Sequence, residues 1–200
     1  MCNHYANDPD AAAKVPTWRE YIGWDSENIL STVSADMWPK RQGVVARHID
    51  GNTHIDVMRW GVPLTVPGKK PGTTLTKHVT NVRNLESPFW RSMLTSPAQR
   101  CLVPFTKFAE PHIGLGRAEH WFTVVERPVA AFAGVWRASE AGNVFAFLTC
   151  APNPLVAPLH PKAMPVILHE SDYDCWLTGT YAEAVSLAVP FPSQLMIVDA

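Results

Sequence analysis

The sequence has little of what would tie it to a metal, a membrane or a disulfide framework. Its 200 residues hold four cysteines, Cys2, Cys101, Cys150 and Cys175. None forms a Cys-x-x-Cys pair, and no histidine spacing completes a zinc site, so no metal is expected. The longest apolar run, residues 128–136, is about half the length that a membrane-spanning helix needs. No basic segment followed by an apolar one stands behind Met1, so no secretory signal is read and the expected compartment is the cytoplasm. There the cysteines are expected as free thiols. Cys101 and Cys150 sit in apolar, strand-like runs, where cysteine acts as a small hydrophobe, and Cys175 lies in an expected helix.

Charge is scarce too, at 18% of residues, with a net of −1. That total argues against nucleic acid, but the distribution does not. Residues 37–110 carry eleven Lys and Arg against four acids, a balance of +7, while the flanks 1–36 and 111–200 each come to −4. A basic middle between acidic ends suits a groove for a phosphate backbone; a solvated mixed surface is the plainer explanation of the same numbers. Hydrophobic residues make up 46%, as a globular chain requires, and the length fits one domain spanning 1–200.

Eighteen prolines spread along the chain favour short elements and shaped loops over a helical bundle. Residues 44–49 and 54–60 alternate polar and apolar around Asp50-Gly51-Asn52, a hairpin signal. Further strands are expected at 100–105, 120–125, 129–136, 144–150 and 164–168. Ser87-Pro88 reads as the start of a short helix through Leu94, and 170–177 and 181–188 as a helical pair. The fold class is α+β: a strand-rich single domain with a distorted β-barrel-like core and a few short helices.

Cys2 carries chemistry that no other residue has. Methionine is commonly trimmed ahead of a small side chain, and trimming exposes an α-amine and a thiol on neighbouring carbons. An α-amine has a pKa near 7.8, so about a third is neutral near pH 7.5, against ~0.1% of a lysine. A neutral amine attacks an aldehyde to give a Schiff base, and the thiol then closes a thiazolidine ring. Position 2 taken alone is arbitrary in many proteins. Other residues fit the same partner. Asn81 and Arg83 lie in a polar, extended stretch, Asn81 suited to a terminal amine or a sugar oxygen and Arg83 to a phosphate. Glu110 closes an apolar run from Arg100 and is placed for proton transfer. His160 precedes Pro161 and can shuttle protons near neutrality. Each has a plain structural reading as well: a loop acid, a hydrogen-bonding histidine.

Six segments in order give the chain a resemblance. They are Met1-Cys2-Asn3, Arg59-Trp60-Gly61-Val62-Pro63, Asn81-Val82-Arg83 with Glu86, Arg100–Pro104 leading to Phe108-Ala109-Glu110, Ala133-Gly134-Val135-Trp136, and Asn153 through His160 into Met164–Leu168. Together they resemble the SOS-response-associated peptidase (SRAP) family, whose members crosslink covalently to abasic sites in single-stranded DNA. The resemblance implies that Cys2 is the nucleophile, that Asn81 positions it or the sugar, that Glu110 assists ring opening and orients or deprotonates the amine, and that His160 relays protons to the sugar oxygen. It implies Arg83 and Arg91 as phosphate contacts, Thr149 as pocket lining, and Arg59, Trp60 and His4 as further DNA-binding residues. It also implies removal of Met1 by the Cys2–Glu110 pair and single-stranded DNA with abasic sites as the partner; no cofactor is expected, and a sequence with no coiled-coil pattern or obvious dimer face is expected to be a monomer.

Three departures stand out. His4 replaces the arginine common in the family. Leu64-Thr65-Val66 follows where a further tryptophan is usual, which leaves Trp60 as the nearby aromatic for base stacking. Ala109 and Pro111 flank Glu110 in place of aromatics. Two other functions stay open on the residues: a thiol peptidase using Cys2 on protein substrates, and a non-covalent single-strand-binding module.

Overall fold

The hairpin signal at Asp50-Gly51 matches the longest strand pair of the fold. In the computed structural model, which describes residues 2–8, 33–111 and 118–199, β3 (Gln42–Ile49) and β4 (Asn52–Trp60) pair antiparallel around that turn. Asp50 and Gly51 both take positive φ, 49° and 83°, the pair of left-handed conformations that a type I′ turn needs. Short strands β1 (His4–Ala6) and β2 (Asp36–Met37) precede the hairpin. β5 (Val62–Pro67), β6 (Thr74–Val79), β7 (Asn81–Val82) and helix α1 (Pro88–Thr95) follow it. Next come β8 (Arg100–Phe105), β9 (Lys107–Pro111), β10 (Glu119–Val124), β11 (Ala130–Ser139) and β12 (Gly142–Cys150). β13 (Met164–Pro165), β14 (Ile167–Leu168), helices α2 (Tyr173–Thr178) and α3 (Tyr181–Ser186), and β15 (Met196–Asp199) complete the order.

Five of these strands close on themselves. β12 pairs with β4, β4 with β3, β3 with β8, β8 with β11, and β11 again with β12. Closure removes the free edges along which sheets aggregate. The strand-rich α+β reading with a barrel-like core is thus the fold. The interior is aromatic: Trp60, Phe105, Phe132, Phe145 and Phe147 are fully buried, with Phe105 and Phe132 stacked at 3.8 Å between ring centroids. Each such ring removes 150–250 Å² from water, so this cluster is a dominant source of stability.

A second sheet, in the order β15-β10-β9-β1-β2, lies against the barrel. Its strand β1, between β9 and β2, sends Tyr5 among Trp60, Phe132 and Phe147, at 5.2, 5.8 and 6.0 Å between centroids. The start of the chain is therefore clamped between β2 and β9 on one side and the barrel core on the other. This is the feature that positions the site.

The helices match their signals. Pro88 opens α1 after Ser87, and Thr180 with Glu183 forms a complete capping box on α3. The stretch expected as one strand at 164–168 is two short ones, β13 pairing with β12 and β14 with β11. Among the described residues no helix is long and apolar enough to cross a membrane, and no cluster of three or more His, Cys, Asp or Glu could hold a metal ion.

Candidate active site

Cys2 is fully buried where the two sheets meet. Its Sγ approaches the carbonyl oxygens of His4 at 3.4 Å and of Ala109 at 3.7 Å. Its own carbonyl accepts a 2.9 Å hydrogen bond from Asn81 Nδ2. Asn81 Nδ2 also donates to Thr80 Oγ1 at 2.8 Å, and Thr80 Oγ1 donates to Asn3 Oδ1 at 3.2 Å. β7 pairs with β12 in parallel, Asn81 opposite Phe147, which turns Asn81 to the inner side of the wall and onto Cys2. Burial, with the Glu110 carboxylate next in size, holds the Cys2 thiol well above the ordinary cysteine range. At neutral pH the thiol is protonated and needs a base.

β9, paired with β1, brings a carboxyl group to the same place. Glu110 is fully buried, and neither carboxylate oxygen has a hydrogen-bond partner among the described residues. Burial pushes its pKa up to about 7, so the group stands near the midpoint of its titration at neutral pH, the condition for efficient proton transfer. His160 Nδ1 lies 3.4 Å from Glu110 Oε2 and 2.8 Å from the Ala163 carbonyl oxygen. The carbonyl can only accept, so Nδ1 carries a proton, and burial holds the ring below the usual histidine range.

Among the described residues Asn81 Oδ1 is likewise buried without a hydrogen-bond partner. Among the described residues the buried groups near Cys2 without a hydrogen bond are the two Glu110 carboxylate oxygens and the Asn81 amide oxygen, which can only accept, and the Tyr5 hydroxyl. An unsatisfied buried acceptor costs about 1–3 kcal/mol, so the pocket favours a group rich in N–H or O–H bonds. Met1 and its removal lie outside the described residues.

The structure thus brings together Cys2, Asn81, Glu110 and His160, which the sequence separates by more than 150 positions. At the rim, Arg83 is exposed and donates through Nη1 to the Cys150 carbonyl oxygen at 2.7 Å. Thr149 is buried, with Oγ1 3.5 Å from the Val82 carbonyl. Arg91 is exposed on α1, paired to Glu86 at 2.7 Å and laid over the Tyr181 ring. It belongs to the surface of α1 and α3 rather than to the pocket. Arg59 stands on the outside of the barrel wall.

Two expectations are corrected. Trp60 presents no face to a base: it is fully buried, its Nε1 donates to the Thr80 carbonyl at 3.1 Å, and it stacks on Phe147. Its neighbours on β4 alternate outward, so the strand period puts Trp60 in the core. His4 does not reach for phosphate either. Its Nδ1 lies 2.6 Å from Glu119 Oε2 and its Nε2 2.5 Å from Asp36 Oδ1. Its ring stacks on Trp38 at 3.8 Å and meets Trp121 edge-on at 4.6 Å. Asp36, Glu119, Trp38 and Trp121 form a setting around position 4 that no spacing in the sequence announces, since they come from separate strands and loops.

Comparison with known proteins agrees with this architecture. The family model described as SOS response associated peptidase (SRAP) matches residues 1–199. A crystal structure of a protein from Bordetella bronchiseptica superposes with a TM-score of 0.72 at 24% identity, covering 98% of each chain. One from Bacteroides thetaiotaomicron gives 0.74 at 23% identity, covering 98% of this chain and 90% of that one. A phage-related protein from Bordetella bronchiseptica gives 0.64 at 18% identity, covering 99% and 93%. These likenesses show the fold. No curated protein matches the sequence. The family match runs through the segments that build the pocket, and the chain belongs to the SOS response associated peptidase family, which connects it with the response to DNA damage.

Proposed function

We propose that this protein captures abasic sites in single-stranded DNA as a covalent thiazolidine on Cys2, once Met1 is gone. The observation that carries the reading is the set of buried acceptors near Cys2 that have no hydrogen-bond partner among the described residues: Glu110 Oε1 and Oε2 and Asn81 Oδ1. An α-amine there gains hydrogen-bond partners and a base. The ring-opened abasic sugar offers an aldehyde. The amine nitrogen adds to the aldehyde carbon, and the carbinolamine loses water to give an imine. The thiol sulfur then adds to the imine carbon while its proton passes to nitrogen. One C–N and one C–S bond form, and one water leaves.

Each neighbour has a part. Asn81 fixes the Cys2 backbone through the 2.9 Å bond to its carbonyl. Glu110 takes a proton from the attacking amine and returns one to the departing oxygen, as a group with a pKa of about 7 can do in both directions. His160 holds and relays protons from the far side of Glu110. Arg83 at the rim contacts a phosphate beside the lesion, and recognition of an unstacked backbone needs such contacts more than base readout. The partner is single-stranded DNA, no cofactor takes part, and the protein acts as a monomer.

The test is a denaturing gel. Full-length protein is incubated with a single-stranded oligonucleotide carrying one abasic site, then heated in denaturant. A heat-tolerant shifted band that Cys2→Ala lacks is expected. Crosslinking that survives in Cys2→Ala would assign the chemistry to a lysine. A shift seen only on native gels would support the non-covalent module.

A further inference from the structure

The outer wall of the barrel carries a second constellation that the Cys2 chemistry leaves unused. Val144 of β12 pairs with Arg59 of β4 on one side and with Arg137 of β11 on the other. Residues directly paired across strands point to the same face, so the two guanidinium groups belong to one row, with backbones about 10 Å apart. They line a cavity of about 490 Å³ together with His78, Thr76 and Glu140. Asn81, which faces Cys2, is opposite Phe147, three positions from Val144. An odd offset along a strand reverses the face, so this cavity opens on the other side of the wall from the Cys2 pocket.

Two groups in the cavity are unsatisfied. Among the described residues the Arg59 guanidinium has no hydrogen-bond or ion-pair partner, and His78 Nδ1 is buried without one. Arg137 is anchored, donating through Nη2 to the Pro63 carbonyl at 2.7 Å and lying over the Phe89 ring. Anchoring fixes its fork and leaves other N–H bonds to offer. The hairpin that brings His78 folds close to the wall because residue 61 is glycine. Gly61 has φ +121°, and a Cβ there would stand 3.0 Å from His78 Cβ. The Glu140 carboxylate is exposed at the mouth and is the one acid lining the cavity.

We propose that this cavity is a binding site for a phosphate-bearing group, held by Arg59 and Arg137 with His78 Nδ1 as a further donor. Paired guanidinium groups suit the several oxygens of a phosphate, and the volume suits a mononucleotide. The group comes either from a DNA strand or from a free nucleotide. The site is independent of the covalent reading, since it uses no residue of the Cys2 pocket.

Calorimetric titration of the full-length protein tests it, with inorganic phosphate, deoxycytidine monophosphate, deoxycytidine, and an intact 5′-phosphorylated hexanucleotide without a lesion as probes. Binding of the phosphate-bearing probes and none of deoxycytidine is expected. Arg137→Gln and His78→Gln should each weaken it about fivefold or more, as loss of a charge-assisted or buried hydrogen bond does. Glu140→Gln should tighten it about twofold to threefold by removing a like charge at the mouth. That gain is one a merely structural role would not produce. Cys2→Ala should change nothing, which separates this site from the covalent one. Dependence of the hexanucleotide alone on Arg137 assigns the strand as the source, and dependence of the mononucleotide assigns the free nucleotide. Should Arg137→Gln fail to fold in a thermal scan, Arg59→Gln replaces it. Absence of phosphate binding, or binding indifferent to all of these variants, overturns the proposal.

Discussion

The two sides of the Cys2 pocket are built on opposite electrostatic plans. On one side Arg83 is exposed and donates to a backbone carbonyl, and among the described residues no carboxylate pairs with it. On the other, His4 is buried between Asp36 and Glu119 under Trp38. A carboxylate pair at that position makes a poor seat for phosphate, and two indole rings beside it make an apolar one. On the function proposed above, the difference teaches that a DNA strand would be gripped by charge on the Arg83 side and would meet carboxylates and indoles on the His4 side. Histidine in place of arginine at position 4 is thus one part of a rebuilt flank rather than a single weakened contact.

The largest effect falls between the flanks, where the chemistry sits. Glu110→Gln should slow covalent capture by about 100-fold or more, in line with the loss of a general acid–base group. Its sign in pH follows from the raised pKa of about 7. The base form is lost as pH falls through 7, so the wild-type rate should drop there. Glu110→Gln should lack that limb and keep only the one set by the α-amine near 7.8. Rapid-quench gels across pH 5.5–9 (roughly one unit either side of the two pKa values) read both limbs.

The same substitution should stabilise the protein. Burial disfavours the carboxylate, so the folded-state pKa lies above the unfolded one. The wild type then loses stability as pH rises from about 4.5 to about 7. Glu110→Gln should match the wild type near pH 4 and exceed it by about 1–3 kcal/mol at pH 8, measured by urea unfolding. A variant that is slower but more stable is what a residue kept for function predicts.

Smaller effects set the flanks against each other. Asn81→Ala should cost about tenfold in capture rate while leaving affinity for intact strands unchanged, because it removes the hydrogen bond that fixes the Cys2 backbone. Arg83→Ala should weaken strand binding several-fold and lower the salt slope by about one, as loss of one phosphate contact does. The smallest change is expected from Asp36→Asn with Glu119→Gln, which should strengthen strand binding about twofold at low salt by removing two negative charges. If the double substitution weakens binding instead, the acidic flank contributes to the DNA contact and the contrast fails.

Much of the barrel was legible from local pattern. Residues 44–60 carried period-two alternation around a turn that only Asp-Gly chemistry suits, and residues 100–105 formed a strand at the expected bounds. The hairpin at 62–79 was not legible, because Thr74, Leu75, Thr76 and Lys77 are exposed in a row and leave its second strand no buried face. Trp60 was misplaced for a related reason. With no tryptophan after it, it is the aromatic the resemblance leaves for base stacking, but its side of β4 is the barrel interior. Cys2, Asn81, Glu110 and His160 were legible from chemistry and from family resemblance together. Thr80, Asp36 and Glu119 were not, since their contacts depend on how the start of the chain is laid between β7, β2 and the β9–β10 pair.

The claim at the centre is that the amine and thiol of one residue capture one aldehyde. Intact-mass spectrometry of the heat-treated adduct tests it most directly. The account predicts a species equal to the chain without Met1 plus the abasic oligonucleotide minus one water, absent from Cys2→Ala. An adduct that retains Met1, or one formed equally well by Cys2→Ala, would contradict it.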